Sequence, residues 1–168
     1  SRLGAKQLMA AWIRLLALTA AGADDEGWQA STLGKGSRGK VARTSYGVLP
    51  REAARSHLTT LLDVFALGQT APLPLPVKTA HAWAQAVSRN PTRTRLAQQQ
   101  AAKEWEASRL KSGDTIPGER DDSWWRLVHG REAPFDVLQQ TLAGPGSDLA
   151  TLAPRVWGPA LDNVGSTA

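Results

Sequence analysis

The chain has 168 residues, 42% of them hydrophobic, which suffices for a packed core of ordinary domain size and argues against wholesale disorder. It contains no cysteine, so a disulfide scaffold, a thiolate nucleophile and cysteine-ligated zinc are excluded. The formal charge of +5, carried mostly by arginine, permits nucleic acid or an acidic partner without singling out either.

Residues 4–21 predict a helix, with Leu8, Trp12, Leu15, Leu16 and Thr19 on one face, Met9 and Ile13 widening it, and Gly22 closing it. Two short strands follow, Trp28–Leu33 and Lys40–Tyr46, joined by a glycine-rich turn. Residues 50–67 predict a second helix. Pro50 suits its first position, and Ala54, Leu58, Leu61, Leu62 and Phe65 form its stripe. Pro72, Pro74 and Pro76 then alternate with Leu73 and Leu75. Proline fixes φ and lacks an amide donor, so this strap is expected to be extended, close to polyproline II, and to lie over a core or present a docking surface.

Helices are expected over 79–89 and 92–111, the second polar except for Leu96, Ala101, Trp105 and Leu110. After a loop to Arg120, Asp121 or Asp122 can cap a short helix holding Trp124, Trp125 and Val128, closed by Gly130. Pro134 opens a helix through Leu142. Ser147 caps a last one, interrupted by Pro154, and a tail from Asp162 to the end is expected to fray. No internal repeat or obvious linker divides the chain, so residues 1–168 read as one domain. No stretch approaches the roughly 18 apolar residues of a membrane span, no signal peptide is evident, and the lack of cysteine fits a cytoplasmic protein.

Gly34-Lys-Gly-Ser-Arg-Gly39 matches the dinucleotide glycine pattern and nearly matches a Walker loop, but Val41 stands where serine or threonine would hold magnesium. Both loops must open a helix, and the next segment, Val41–Tyr46, reads as strand. A hairpin turn is therefore the reading, and no cofactor is expected. From Gly27 to Thr60 the basic residues are Lys35, Arg38, Lys40, Arg43, Arg51 and Arg55, against one acid, Glu52. Lys35, Arg38, Lys40 and Arg43 on the hairpin are the candidates for contact with DNA phosphates. Arg89, Arg93 and Arg95 crowd a helix start, where cations oppose the helix dipole.

Asp114, Glu119, Asp121 and Asp122 are the one acidic group that invites a metal, although helix capping accounts for the aspartates without one, and no metal is expected. The histidines at 57, 81 and 129 have no ligand spacing. Leu73, Leu75, Trp124 and Trp125 are the candidate partner-binding residues. Adjacent tryptophans on a helix point apart, which leaves one of the pair free for a partner.

The strap Leu67-Gly-Gln-Thr-Ala-Pro-Leu-Pro-Leu-Pro-Val-Lys-Thr-Ala-His-Ala-Trp83, then Ala102-Lys-Glu-Trp105, then Gly118-Glu-Arg-Asp-Asp-Ser-Trp-Trp-Arg-Leu127, resembles the C-terminal part of the RecC family, the gamma subunits of exodeoxyribonuclease V. The resemblance runs over nearly the whole chain in order and marks it as a piece of a larger subunit. It implies an α+β, helix-rich fold with a small sheet built on the hairpin, like a degenerate restriction-endonuclease (PD-(D/E)xK) domain. A working site of that kind needs an Asp and a Glu-x-Lys on adjacent strands to hold magnesium. Positions 28–50 carry no Asp or Glu. The resemblance thus implies a non-catalytic domain that holds RecB-like and RecD-like subunits together and guides forked double-stranded DNA. Two other readings are a helical interaction domain without DNA contact, and a weak metal-dependent nuclease using the four carboxylates.

Overall fold

A computed structural model of the chain describes residues 3–22, 27–36, 40–109 and 111–165. It divides into two compact units, Ser1–Val64 with Pro159–Ala168, and Phe65–Gly158. Among the described residues the fold is α+β and helix-rich, with six α-helices and two separate two-stranded antiparallel sheets. Among the described residues no helix is long and apolar enough to cross a membrane.

The first unit opens with α1 (Ala5–Ala21), which buries Trp12, Leu15, Leu16 and Thr19 as the spacing predicts. Ile13 lies outside that stripe and is exposed. Gly22 ends the helix at φ 69°, the left-handed cap that glycine adopts without strain. β1 (Ala30–Lys35) pairs antiparallel with β2 (Val41–Tyr46), in a register that sets Leu33 opposite Arg43 and Lys35 opposite Val41. Alternation sends every second residue outward, and Tyr46 ends β2 on the inner side. Tyr46, Trp12, Leu15, Leu16, Leu49, Ala54 and Ala160 form the core of this unit. The Trp12 ring lies 5.4 Å from that of Tyr46, and truncating a buried tryptophan of this kind costs about 3–5 kcal/mol.

The following helix, α2 (Arg51–Gly68), starts one residue after Pro50 and has its last turn in the second unit. It departs from its expected stripe. Only Ala54 and Val64 are buried, while Leu62 and Phe65 are exposed.

In the second unit the strap is neither helix nor strand, as expected, but it is not uniformly extended. The Leu75 amide donates to the Leu73 carbonyl at 2.8 Å, which folds the chain tightly about Pro74. Pro74 and Pro76 are buried, and Leu73 and Leu75 are half-buried. α3 (Val77–Arg89) starts directly after Pro76 and packs on α4 (Thr94–Trp105), with Ala80, Trp83 and Ala84 buried on one helix and Ala97, Ala101 and Trp105 on the other. The alanines at this crossing leave room for the tryptophans.

α4 ends six residues short of the expected Lys111. Trp105 is fully buried, its indole N–H donating to the Ala133 carbonyl at 2.9 Å. The chain beyond it turns into β3 (Ser108–Arg109), paired with β4 (Thr115–Ile116). Leu110 lies outside the described residues, and the three glutamines at 98–100 are exposed.

α5 (Ser123–His129) is capped by Asp122 and closed by Gly130, as read from sequence. The helix expected from Pro134 through Leu142 is instead a short 3-10 turn, Phe135–Gln139. Phe135 and Leu138, three apart, are its buried pair, and the 3-10 geometry stacks such positions on one side. Ser147 does not cap the last helix. Its Oγ accepts from the Ala143 amide and donates to the Gly144 carbonyl, closing the preceding turn. Asp148 takes the capping position through the Thr151 amide and hydroxyl. α6 (Leu149–Asp162) then runs without interruption through Pro154, and its last turn belongs to the first unit. The described part of the expected tail is held there. The Asn163 carbonyl accepts from Gly47, Val164 bridges Tyr46, and Gly165 donates to the Ser45 carbonyl. Residues 166–168 lie outside the described residues.

Candidate functional site

The hairpin splits the basic residues into two groups. Lys35 and Arg43 stand on its outer face as diagonal neighbours, and Lys40 is exposed where the turn re-enters β2. Arg43 is tethered rather than free. Its Nε donates to Ser45 Oγ and its Nη2 to Ser31 Oγ, both at 3.1 Å, over the Ser31–Ser45 hydroxyl pair at 2.9 Å. Arg38 lies outside the described residues.

Arg51 and Arg55 are turned to other work. Arg51 donates to the carbonyls of Ala20 and Ala21 at 3.2 Å each, closing the C-terminus of α1 where a cation complements the dipole. Arg55 pairs with Glu52 at 3.2 Å. Leu33 and Val41 interleave with the cations on the outer face and are 67% and 77% exposed, a feature that the charge pattern alone does not signal. The segment after the glycine-rich turn is strand β2, so no helix opens there and the phosphate-loop patterns lack their structural context.

Below this face Tyr46 is buried against α1, its hydroxyl donating to the Leu8 carbonyl at 3.2 Å. Burial pushes its pKa up to about 12.

Each of the four candidate carboxylates has a separate partner. Glu119, in a 3-10 turn at Glu119–Asp121, reaches the start of α3. One oxygen accepts from the Lys78 amide at 2.9 Å, the other from the Thr79 amide at 2.7 Å and the Thr79 hydroxyl at 2.8 Å. This is an N-cap supplied from forty residues away, where a negative charge also suits the dipole. Asp121 accepts from the Gly118 amide, Asp122 from the Trp124 amide, and Asp114 from the Ser112 hydroxyl. Among the described residues no group of three or more metal-ligating side chains converges. Gly118 sets this arrangement, because a Cβ there would fall on the backbone of Trp105 and Glu106. That close approach carries Glu119 to its helix.

The tryptophan pair separates as its adjacency implies. Trp125 packs edge-on against Trp105 at 5.6 Å and stacks on His129 at 5.7 Å. Trp124 is 74% exposed, beside exposed Leu127 and Val128 on the opposite side of α5. Sequence reading missed Leu127, although its i+3 spacing from Trp124 could have found it. Burial lowers the His129 pKa. It also lowers that of His81, with Arg89 adding to the effect. Leu73 and Leu75 are only partly available, since Leu73 lies beside Gly68 and the strap prolines take the interior. Arg93 is the N-cap of α4 without a side-chain cap bond, and Arg89, Arg93 and Arg95 are all exposed.

Residues 1–88 match the family model of the RecC C-terminal domain. Along 99% of its length the chain is 33% identical to the RecBCD enzyme subunit RecC of Mycobacterium tuberculosis, covering 15% of that protein. A shorter match, 43% identical over 86 residues, links 51% of the chain to 8% of the RecBCD enzyme subunit RecC of Mycolicibacterium smegmatis. The chain thus spans only a small part of the relatives it matches.

Proposed function

Because the chain belongs to the RecC family through its C-terminal domain, we propose that it is a non-catalytic piece of the RecC-type subunit of a helicase–nuclease that processes double-strand DNA breaks. Its role is to hold RecB-like and RecD-like subunits together while the assembly guides DNA. The observation that carries the non-catalytic part is the fate of the carboxylates. Magnesium-dependent cleavage needs acidic groups converging from adjacent strands. β1 and β2 carry no Asp or Glu, and Glu119, Asp121 and Asp122 are engaged by backbone amides. The relation to a degenerate restriction-endonuclease-like domain is part of this reading and rests on the family resemblance. So does a cytoplasmic setting.

Scaffolding is favoured over direct DNA contact by the apolar side chains left exposed, Trp124, Leu127, Leu33 and Val41 among them. DNA contact through Lys35, Arg38, Lys40 and Arg43 is the second reading, favoured by the absence of acids at positions 28–50. Anisotropy of a labelled forked duplex at about 50 and 200 mM salt, with and without magnesium, tests both. Binding that weakens steeply with salt, with intact DNA, supports the DNA-contacting reading. No binding at low salt leaves scaffolding alone. Magnesium-dependent cleavage overturns the non-catalytic assignment.

A further inference from the structure

We infer that the outer face of the β1–β2 hairpin docks an acidic, apolar segment of a partner protein rather than DNA. The inference rests on the scaffolding reading and names one surface and the chemistry of its occupant. Two facts define the surface. Leu33 and Val41 are the most exposed aliphatic side chains of the hairpin, and they alternate with Lys35 and Arg43 across the two strands. Positions 28–50 hold no acidic residue, and among the described residues no ion pair neutralises Lys35, Lys40 or Arg43. Among the described residues the face is therefore apolar and positively charged at once, with no acidic side chain paired to it.

DNA uses only half of that combination. Phosphate contacts come from cations and hydrogen-bond donors, and an aliphatic side chain facing a phosphate loses water without gaining a partner. A protein segment that alternates carboxylate and aliphatic side chains uses both halves. On an extended chain, alternate residues are roughly 6.5–7 Å apart, which is also the spacing of Leu33 and Lys35 along β1. Arg43 fits the role further. Held by Ser31 and Ser45, it presents its guanidinium with little rotamer freedom left to lose on binding. The inner face of the same sheet is seated on α1, so its geometry is set before any partner arrives.

The test places a photo-crosslinking residue at position 33 or 41, in a full-length RecC-type subunit carrying this chain. That subunit is purified with its RecB-type and RecD-type partners and loaded with forked DNA. Gln99, exposed on α4, is the control position. Crosslinks from 33 and 41 are expected in a protein segment carrying several Asp or Glu among aliphatic residues. Their yield is expected to fall at least tenfold with Lys35→Glu plus Arg43→Glu, while the melting temperature falls only slightly, because both residues are exposed and the bonds of Arg43 to Ser31 and Ser45 lie at the surface. Crosslinks to DNA, crosslinks to a segment without acids, or none from either position in an assembled complex would each overturn the inference and leave scaffolding standing. Failure of the unsubstituted subunit to join its partners would remove the scaffolding reading, and this inference with it.

Discussion

Glu119 offers the sharpest test of how this chain is held together. Glu119→Ala removes an acceptor of three hydrogen bonds at the start of α3, two of them part-buried. Thr79 is fully buried, so its hydroxyl would lose its partner with no water to replace it. Each part-buried bond to a carboxylate is worth about 1–1.5 kcal/mol net, and the charge at the helix N-terminus adds about 0.5. The Lys78 bond is exposed and adds little. The loss is thus about 3 kcal/mol, a fall of roughly 1–2 M in the urea midpoint. Glu119→Gln keeps one acceptor oxygen and loses the charge, so it should cost about half as much. Thr79→Val with Glu119→Ala should show a coupling of about 1 kcal/mol in a double-mutant cycle. Urea unfolding followed by circular dichroism measures all five chains, the parent, Glu119→Ala, Glu119→Gln, Thr79→Val and the double substitution. A Glu119→Ala chain within about 0.5 kcal/mol of the parent, or a cycle with no coupling, would refute the long-range cap.

Tyr46 is the only tyrosine in the sequence, so phenolate absorbance reports it alone. Burial raises its pKa to about 12 in the folded chain, and its stabilising contribution is complete below the unfolded value near 10 and is lost as pH rises towards 12. Absorbance and helix loss should therefore rise together; ionisation at pH 10 with the helices intact would contradict the burial. His81 and His129 act at the other end of the scale. Both have lowered pKa values, chiefly from burial, so the unfolded chain binds protons more readily and stability, complete above about pH 6.5, falls on acidification. The melting temperature should drop between about pH 7.5 and 5.5, less so in a His81→Gln, His129→Gln chain. On α5, Trp125→Ala should cost about 2–4 kcal/mol because it removes the edge-on contact with Trp105 and the stack on His129, whereas Trp124→Ala should fall within about 0.5 kcal/mol.

Where a feature is written in local spacing, it was legible. The stripe of α1, the Gly22 cap, the hairpin and the Asp122–Gly130 bounds of α5 depend on residues within a few positions of one another. The misjudged features depend on distant partners. α3 starts early because Glu119 caps it, and α4 stops early where Trp105 is sealed by Ala133 and the chain passes Gly118. Ser147 and Asp148 are both competent caps, and only the turn at Ala143–Gly144 decides between them. At the candidate site, charge alone put Arg51 with the hairpin cations, while its fork closes α1. Leu33 and Val41 fit a half-buried strand equally well on either face, and only the register shows that they look outward.

The first unit is discontinuous in sequence. Its core needs Ala160, and its sheet is pinned by residues 163–165, while everything from Phe65 to Gly158 belongs to the second unit. As the chain leaves the ribosome, α1 and the hairpin emerge about 100 residues before the residues that complete their core. The second unit, continuous in sequence, has all its parts first. Closing so long a loop costs several kcal/mol of chain entropy if the intervening segment is a random coil, and less once that segment is compact. The order of synthesis and the order in which the two cores are completed therefore run opposite to each other. The segment made first finishes last, and shortening the chain by its final turn of helix would expose the Trp12–Tyr46 core while leaving the second unit's own hydrogen bonds intact.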